Sequence, residues 1–272
     1  FCVFSLIPFV KSLNGVLKYD IRILDISEDV YEEIENRRTE RVKNIITELN
    51  KIGKGAVRDH REDVLPDILD LLSEIGKKTA SIGYANTTSL VIEGLKEIGI
   101  ECIENGFWYD KKLIPREIPE IAILGLNDIG VLVAEYDQKN SQNKFRGVIS
   151  SVVDGLKNLG VESSKNQLNR TTIKAFSSLK NIIIALKDNK ELSAKRNRII
   201  AVGEVWCLGV FITKYIDGRI DFVIQNLKEI EEVVGVETMM NRRDNCVNDY
   251  PDLKSSLEEF KKRYDDYNAQ SI

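Results

Sequence analysis

Residues 95–99 read LKEIG, from Leu95 to Gly99, and four other stretches nearly repeat them: LNKIG from Leu49, LSEIG from Leu72, LNDIG from Leu126 and LKNLG from Leu156. Weaker echoes are LKNII from Leu179, VGEVW from Val202 and LKEIE from Leu227. Their first residues follow one another at steps of 23, 23, 31, 30, 23, 23 and 25. A phrase returning at such a period marks an array of similar units, each too small to bury its apolar face alone.

The phrase has a physical reading. Leu and Ile three residues apart point to one side of a helix. The glycine that follows leaves room for a neighbouring backbone, although Gly inside a helix costs about 1 kcal/mol relative to Ala. Gly53, Gly76, Gly99, Gly130 and Gly160 are therefore expected at close helix contacts. The polar residues between (Asn50 and Lys51, Ser73 and Glu74, Lys96 and Glu97, Asn127 and Asp128) are expected to face solvent. The last three echoes lack the glycine. Trp206 stands in its place in VGEVW, which predicts helices pushed apart or a bend there.

Around the phrases the period is helical. Leu65, Ile68, Leu71, Leu72, Ile75 and Thr79 make one apolar stripe, and Gly83 sits where a glycine ends a helix. Gly106 follows Gly99 at the same distance of seven residues. The spacing predicts helices over about 28–37, 39–58, 62–83, 86–106, 117–137, 144–166, 171–188, 192–216, 220–237 and 251–268. Ser27 is the expected N-cap of the first, and Pro251 opens the last. Residues 13–26 alternate instead and read as a short strand or an extended linker. The expected organisation is a lead-in over 1–26, an array over 27–240, and a linker with a charged terminal helix over 241–272.

The unit length and the L-x-x-I-G phrase over residues 39–238 resemble HEAT-like αα-hairpin repeats. The resemblance implies an all-α fold: a right-handed αα-superhelix of about eight to ten antiparallel helices, behind a short non-helical segment. An apolar lead-in before E-I-G phrases also resembles the cytoplasmic part of some uncharacterised prokaryotic, especially archaeal, membrane proteins. Phe1 to Val10 (FCVFSLIPFV) is apolar and uncharged, but a span needs about 20 such residues. Two readings stand: the last turns of a transmembrane helix of a longer protein, since the chain starts at Phe1, or an N-terminal core segment or strand.

Composition narrows function. A net charge of −4 across 272 residues offers no global basic field for nucleic acid. The basic clusters at Arg37, Arg38 and Arg41, at Lys195, Arg196 and Arg198, and at Arg242 and Arg243 do not recur in register. Four cysteines, Cys2, Cys102, Cys207 and Cys246, form no CxxC pair and fit a reducing, cytoplasmic setting. His60 is the only histidine and reads as solvated. The pairs Glu32 and Glu33, Glu231 and Glu232, and Asp265 and Asp266 read as solvated faces. HExxH, a Walker loop and GxGxxG are absent from the sequence. No catalytic residue, cofactor or metal is assigned.

The two long steps place insertions at 106–119 and 137–144, and insertions in arrays map to loops, often on a binding face. The first carries Phe107, Trp108 and Tyr109, a candidate interaction surface because aromatics dominate binding hot spots; burial within the longer loop is the alternative. The function expected is a non-catalytic scaffold or interaction module, the cytoplasmic part of a membrane-attached protein, binding a protein partner or itself. The alternative is an enzyme or small-ligand binder with a pocket on the concave face. A nucleic-acid-binding array is disfavoured by the acidic balance.

Overall fold

The structure is a computed structural model that describes residues 22–23, 25–27, 29–106, 118–140, 145–189, 192–243 and 250–270. Their regular structure is entirely helical, without a strand among them. The helices are α1 (29–35), α2 (Thr39–Arg58), α3 (Leu65–Ser81), α4 (Ala85–Glu104), α5 (Ile118–Asn140) and α6 (Arg146–Lys165). They continue with α7 (Asn169–Ala185), α8 (Leu192–Tyr215), α9 (Ile220–Val234), the short α10 (Val236–Met240) and, after a 3-10 turn at Pro251–Leu253, α11 (Lys254–Gln270).

Helix starts earlier than the alternation over 13–26 suggests. Residues 22–23 and 25–27 are helical, so Ser27 lies within helix instead of capping it. Ile23 and Ile26 are buried at its inner side. The rest of the lead-in, 1–21, lies outside the described residues. The second expected insertion also changes character: α5 runs on to Asn140, so the first residues of 137–144 lengthen a helix.

From α2 to α8 each helix packs on the next and on the next but one. The even-numbered helices α2, α4, α6 and α8 form one row, and α3, α5, α7 and α9 the other. The core is the sheet of Leu, Ile and Val side chains between the rows, Leu72, Leu95, Leu126 and Leu156 among them.

Within each row the phrase acts as a knob and a socket. Ile98 of α4 fills the bare side of Gly53 in α2, and Ile129 of α5 that of Gly76 in α3. A Cβ at Gly99 would fall 2.8 Å from Leu159 Cδ2, and one at Gly130 2.9 Å from Ile182 Cδ1. The fourth residue of one phrase thus sits on the fifth residue of the phrase two units earlier.

This register corrects the reading of α8. The knob on Gly160 is Leu208, with Cδ2 2.7 Å from where a Cβ would be. The phrase of α8 is therefore VWCLG, Val205 to Gly209, one turn later than VGEVW. Its glycine is present. A Cβ on Gly209 would meet Val223 Cγ1 at 2.9 Å and Phe260 Cζ at 3.4 Å. Trp206 does not replace a glycine or spread the helices; it is fully buried, edge-to-face with Phe260 and Tyr264 at centroid distances of 5.2 and 5.0 Å. The terminal helix α11 packs on α8 through LEEFK, Leu257 to Lys261, with Leu257, Phe260 and Tyr264 buried.

Helix ends repeat as well. After α3 the chain turns through Gly83 at φ +83°, with the Tyr84 N–H on the Thr79 carbonyl at 2.9 Å, the six-to-one bond of a Schellman end. Seven residues after Gly53 the same left-handed place is held by His60 at φ +55°, with the Arg61 N–H on the Ala56 carbonyl at 2.8 Å. The lone histidine marks a helix end.

Candidate functional site

Phe107, Trp108 and Tyr109 lie outside the described residues. The structure gives their anchors: α4 ends at Glu104 and turns at Gly106 with φ +76°, and α5 begins at Ile118. Beside that start Glu120, 4% exposed, takes an ion pair from Arg170 Nε at 2.9 Å. A buried carboxylate in the first turn of α5 suits the positive end of the helix dipole.

The second residue of the phrase does not face solvent as expected. It lies against the helix two units along. A second glycine, directly before the phrase in three units, makes room for it: Gly94 meets the Asn50 side chain, Gly125 meets Ser73, with Oγ 2.9 Å from where a Cβ would be, and Gly155 lies 3.7 Å from Lys96 Cβ in the same sense. Ser73 is buried, and Asn50, Lys96 and Asn127 are half-buried. The third residues Lys51, Glu74 and Asp128 are exposed, as expected, while Glu97 is half-buried.

A polar seam follows along each row. In the even row Lys54 pairs with Glu97 at 2.7 Å, Lys96 with Asp154 at 3.6 Å and Lys157 with Glu204 at 3.1 Å. In the odd row Asn181 Nδ2 donates to Asn127 Oδ1 at 3.2 Å, and Lys180 Nζ donates to Asn226 Oδ1 at 2.8 Å and pairs with Glu229. Burial alone would lower the Lys96 pKa, but hydrogen bonds and charge from Glu93 and Asp154 outweigh it and hold the ammonium above its ordinary value.

The groups singled out as possible chemistry are taken up by architecture. Glu33 is buried, not solvated, and its Oε1 accepts from Arg41 Nη1 at 2.8 Å and Arg38 Nη1 at 3.1 Å. Burial pushes its carboxyl up, yet the two guanidinium groups outweigh that and keep it below the usual range. Arg198 Nη1 donates to the Lys187 carbonyl at 2.7 Å at the end of α7, and Arg243 pairs with Asp265 at 3.4 Å. Glu231 accepts from the Tyr264 hydroxyl at 2.5 Å and pairs with Lys228 at 3.4 Å. Burial, helped by Glu101 and Glu62, pushes the Cys102 thiol up to about 12, which removes the thiolate a nucleophile needs. Among the described residues no cluster of three His, Cys, Asp or Glu side chains is placed to hold a metal ion.

What the array offers a ligand is open surface. A groove of about 560 Å³ runs along α2, lined by Asn44, Thr47, Glu48, Lys51, Ile52 and Gly55 with Arg22 across it. A second, of about 460 Å³, lies between the ends of α1 and α3 at Ile34, Arg37, Lys78, Ile82 and Tyr84. Among the described residues neither gathers several carboxylates. The α2 groove was not singled out from the sequence; its signal was the three-and-four spacing of residues 44 to 55, which resembles that of any packed helix face. No family model matches the chain, and no curated protein matches it at significant similarity.

Proposed function

We propose that the chain is a non-catalytic helical-repeat scaffold: a HEAT-like, right-handed αα-superhelix of antiparallel helices that binds a protein partner or a second copy. It serves as the cytoplasmic portion of a membrane-attached protein. The observation that carries this reading is the knob-on-glycine register running through both rows, Gly53 with Ile98, Gly99 with Leu159 and Gly160 with Leu208 in one, Gly76 with Ile129 and Gly130 with Ile182 in the other. Identical contacts propagated unit by unit build an extended surface, the property for which such arrays serve recognition. Several charged side chains are engaged in helix ends and inter-helix seams, among them Arg198, Lys54 with Glu97 and Lys157 with Glu204. No helix among the described residues is long and apolar enough to cross a membrane, so attachment falls to a segment outside them.

The test uses the full-length protein in cells. It should pellet with membranes, and Trp108→Ala should remove cross-links to its partner while the far-UV circular dichroism stays unchanged. A protein found wholly in the soluble fraction removes the membrane part of the reading. Unaltered cross-links in the Trp108 variant remove the loop from it.

A further inference from the structure

Contacts between helices fix which of their ends lie together. Along the even row residues meet in ascending order: Asn50 with Gly94 and Gly53 with Ile98, Lys96 with Asp154 and Gly99 with Leu159, Lys157 with Glu204 and Gly160 with Leu208. The odd row does the same, Ser73 with Gly125 and Gly76 with Ile129, then Phe176 with Phe222 and Lys180 with Asn226. Between rows the order reverses. Gly76 meets Val91 while Thr88 Oγ1 donates to Thr79 Oγ1, and Gly99 meets Ala122 while Gly125 meets Leu95. The starts of the even helices therefore share one edge with the ends of the odd ones. Helix α11 ends there too: Phe260 meets Gly209, Tyr264 lies against Trp206, and Asp265 pairs with Arg243, just beyond α10.

Exposed apolar side chains collect on that edge. Ile82 follows the end of α3, Leu90 lies in the second turn of α4, Leu192 opens α8, Val236 opens α10 and Tyr267 lies in the last turn of α11. They are the large apolar side chains that stand exposed among the described residues, with Ile82 at 45%, Val236 at 55% and Leu192 at 82%. Such residues are ordinarily scattered singly over a surface. Here they share one edge.

Cations stand between them. Arg37 before α2, Lys78 in the last turn of α3, Lys187 after α7, and Lys195 and Arg196 in the first turns of α8 are exposed. Among the described residues none of these five enters an ion pair. The acids near them in sequence are Glu35, Glu40, Asp188, Glu237 and Asp266, and Glu40 is already paired with Lys43. The opposite edge differs. Asp59, Asp63, Asp67, Glu104, Asp217 and Asp221 are exposed there beside Arg58 and Arg219. Lys165, Arg170 and Lys214 on that edge are paired with Glu162, Glu120 and Asp252.

We propose that the edge bearing Ile82, Leu192 and Val236 lies on an anionic phospholipid membrane, its apolar tips among the headgroups and its cations beside the lipid charges. The inference rests on the reading of the chain as the cytoplasmic portion of a membrane-attached protein and gives that portion its orientation. An anionic leaflet attracts cations held within a Debye length of it, and apolar side chains enter the boundary between headgroups and acyl chains. A single-stranded nucleic acid would use the same cations but would stack its bases on aromatic rings; Ile82, Leu90, Leu192 and Val236 are aliphatic. The connection from Glu104 to Ile118 leaves from the other edge, on the side away from the lipid.

The experiment sediments the 272-residue chain with vesicles of two compositions. One is phosphatidylcholine alone, and the other contains about 30% phosphatidylserine as the anionic lipid. The chain should bind the second and not the first. Arg37→Gln, Lys78→Gln, Lys187→Gln and Lys195→Gln together should lower that binding about a hundredfold, since each cation at an anionic surface contributes about fivefold. Arg58→Gln with Arg219→Gln, on the opposite edge, should change it by less than about twofold. Leu192→Trp should add a blue-shifted emission on the anionic vesicles, the mark of a side chain that has left water. No binding to the anionic vesicles, equal binding to both kinds, or unchanged binding by the variant lacking the four cations overturns the proposal. Binding to duplex DNA in place of the vesicles, lost in that variant, gives the edge to nucleic acid and overturns it as well. The attachment reading is decided apart from this: a full-length protein that pellets with cell membranes while the chain ignores the vesicles keeps the attachment and removes the edge, and a soluble full-length protein whose chain binds them does the reverse.

Discussion

Leu208 of α8 rests on the bare Cα of Gly160 in α6: a Cβ there would lie 2.7 Å from Leu208 Cδ2 and 3.0 Å from Ala175 Cβ. The first neighbour is the end of a flexible side chain, and the second belongs to the opposite row. An added methyl therefore has to turn the Leu208 side chain and push against α7 through Ala175.

Gly160→Ala tests that statement. Overpacking costs about 1–3 kcal/mol and the better helix former recovers about 1 kcal/mol, so the net expectation is a loss of about 0–2 kcal/mol. Gly147 in the first turn of α6 has nothing within 4 Å of such a Cβ. Gly147→Ala should therefore leave stability equal or raise it by up to about 1 kcal/mol. Urea unfolding followed by circular dichroism compares the two. A Gly160 variant as stable as the Gly147 variant would remove the socket from the account of the fold.

Trp206 should be the main tie between the array and its last helix. It is fully buried and touches both Phe260 and Tyr264 edge-to-face. Trp206→Ala should cost about 3–5 kcal/mol, the usual range for deleting a buried aromatic. The loss should be local first, because units of such an array answer mainly to their neighbours. Amide hydrogen exchange should rise in Lys254–Gln270 before it rises in α2 to α6. Uniform acceleration along the chain would show that α11 is not held through this contact.

Most of the helical layout could be read from the periodicity, because each apolar stripe faces one core and each helix end has a turn of fixed length. Ten expected helices have counterparts among the described residues, and α10 is an extra short one that follows Gly235 at φ +85°. The row register could not be read. Val202 and Gly203 imitate the head of a phrase, while Trp206 and Cys207 occupy the two places that are polar elsewhere, so the true phrase at Val205 was hidden by one turn. Ser73 reads as solvent-facing until Gly125 is seen to make room for it. The groove along α2 was equally hidden, because its stripe resembles an internal one.

Two carboxylates should give pH responses of opposite sign. Asp137, at the end of α5, is 7% exposed, and burial raises its pKa against the opposing Phe145 N–H. The unfolded chain then loses this proton first, near the ordinary aspartate value of 3.8. Stability therefore falls as pH rises from there towards the raised folded value. Asp137→Asn should increase Tm at pH 7 and leave it unchanged at pH 3. Glu33 is the reverse: Arg41 and Arg38 outweigh burial and lower its pKa below the ordinary 4.5. Its contribution is present above the unfolded value and is lost as pH falls through the folded one. Glu33→Gln should lower Tm at pH 7 and converge on the parent in acid. Thermal scans between pH 3 and 7 decide it, and parallel curves for either variant would contradict the assigned environment.

The seam along the even row should behave at this point as a coupled pair and not as two surface charges. Lys157 and Glu204 lie 3.1 Å apart with side chains only 10% and 23% exposed. Removing one partner leaves the other charge poorly solvated, so Lys157→Met or Glu204→Leu alone should each destabilise by about 1–3 kcal/mol. Replacing both with apolar side chains removes the orphan, and the double variant should lie within about 1 kcal/mol of the parent. Arg263 and Glu259, 54% and 64% exposed on α11 at 3.1 Å, provide the reference; an exposed i,i+4 pair couples by about 0.3–0.5 kcal/mol. A double-mutant cycle by urea unfolding measures both pairs. Coupling at Lys157 and Glu204 no larger than at the reference pair would mean that the glycine sockets alone hold α8 in register on α6.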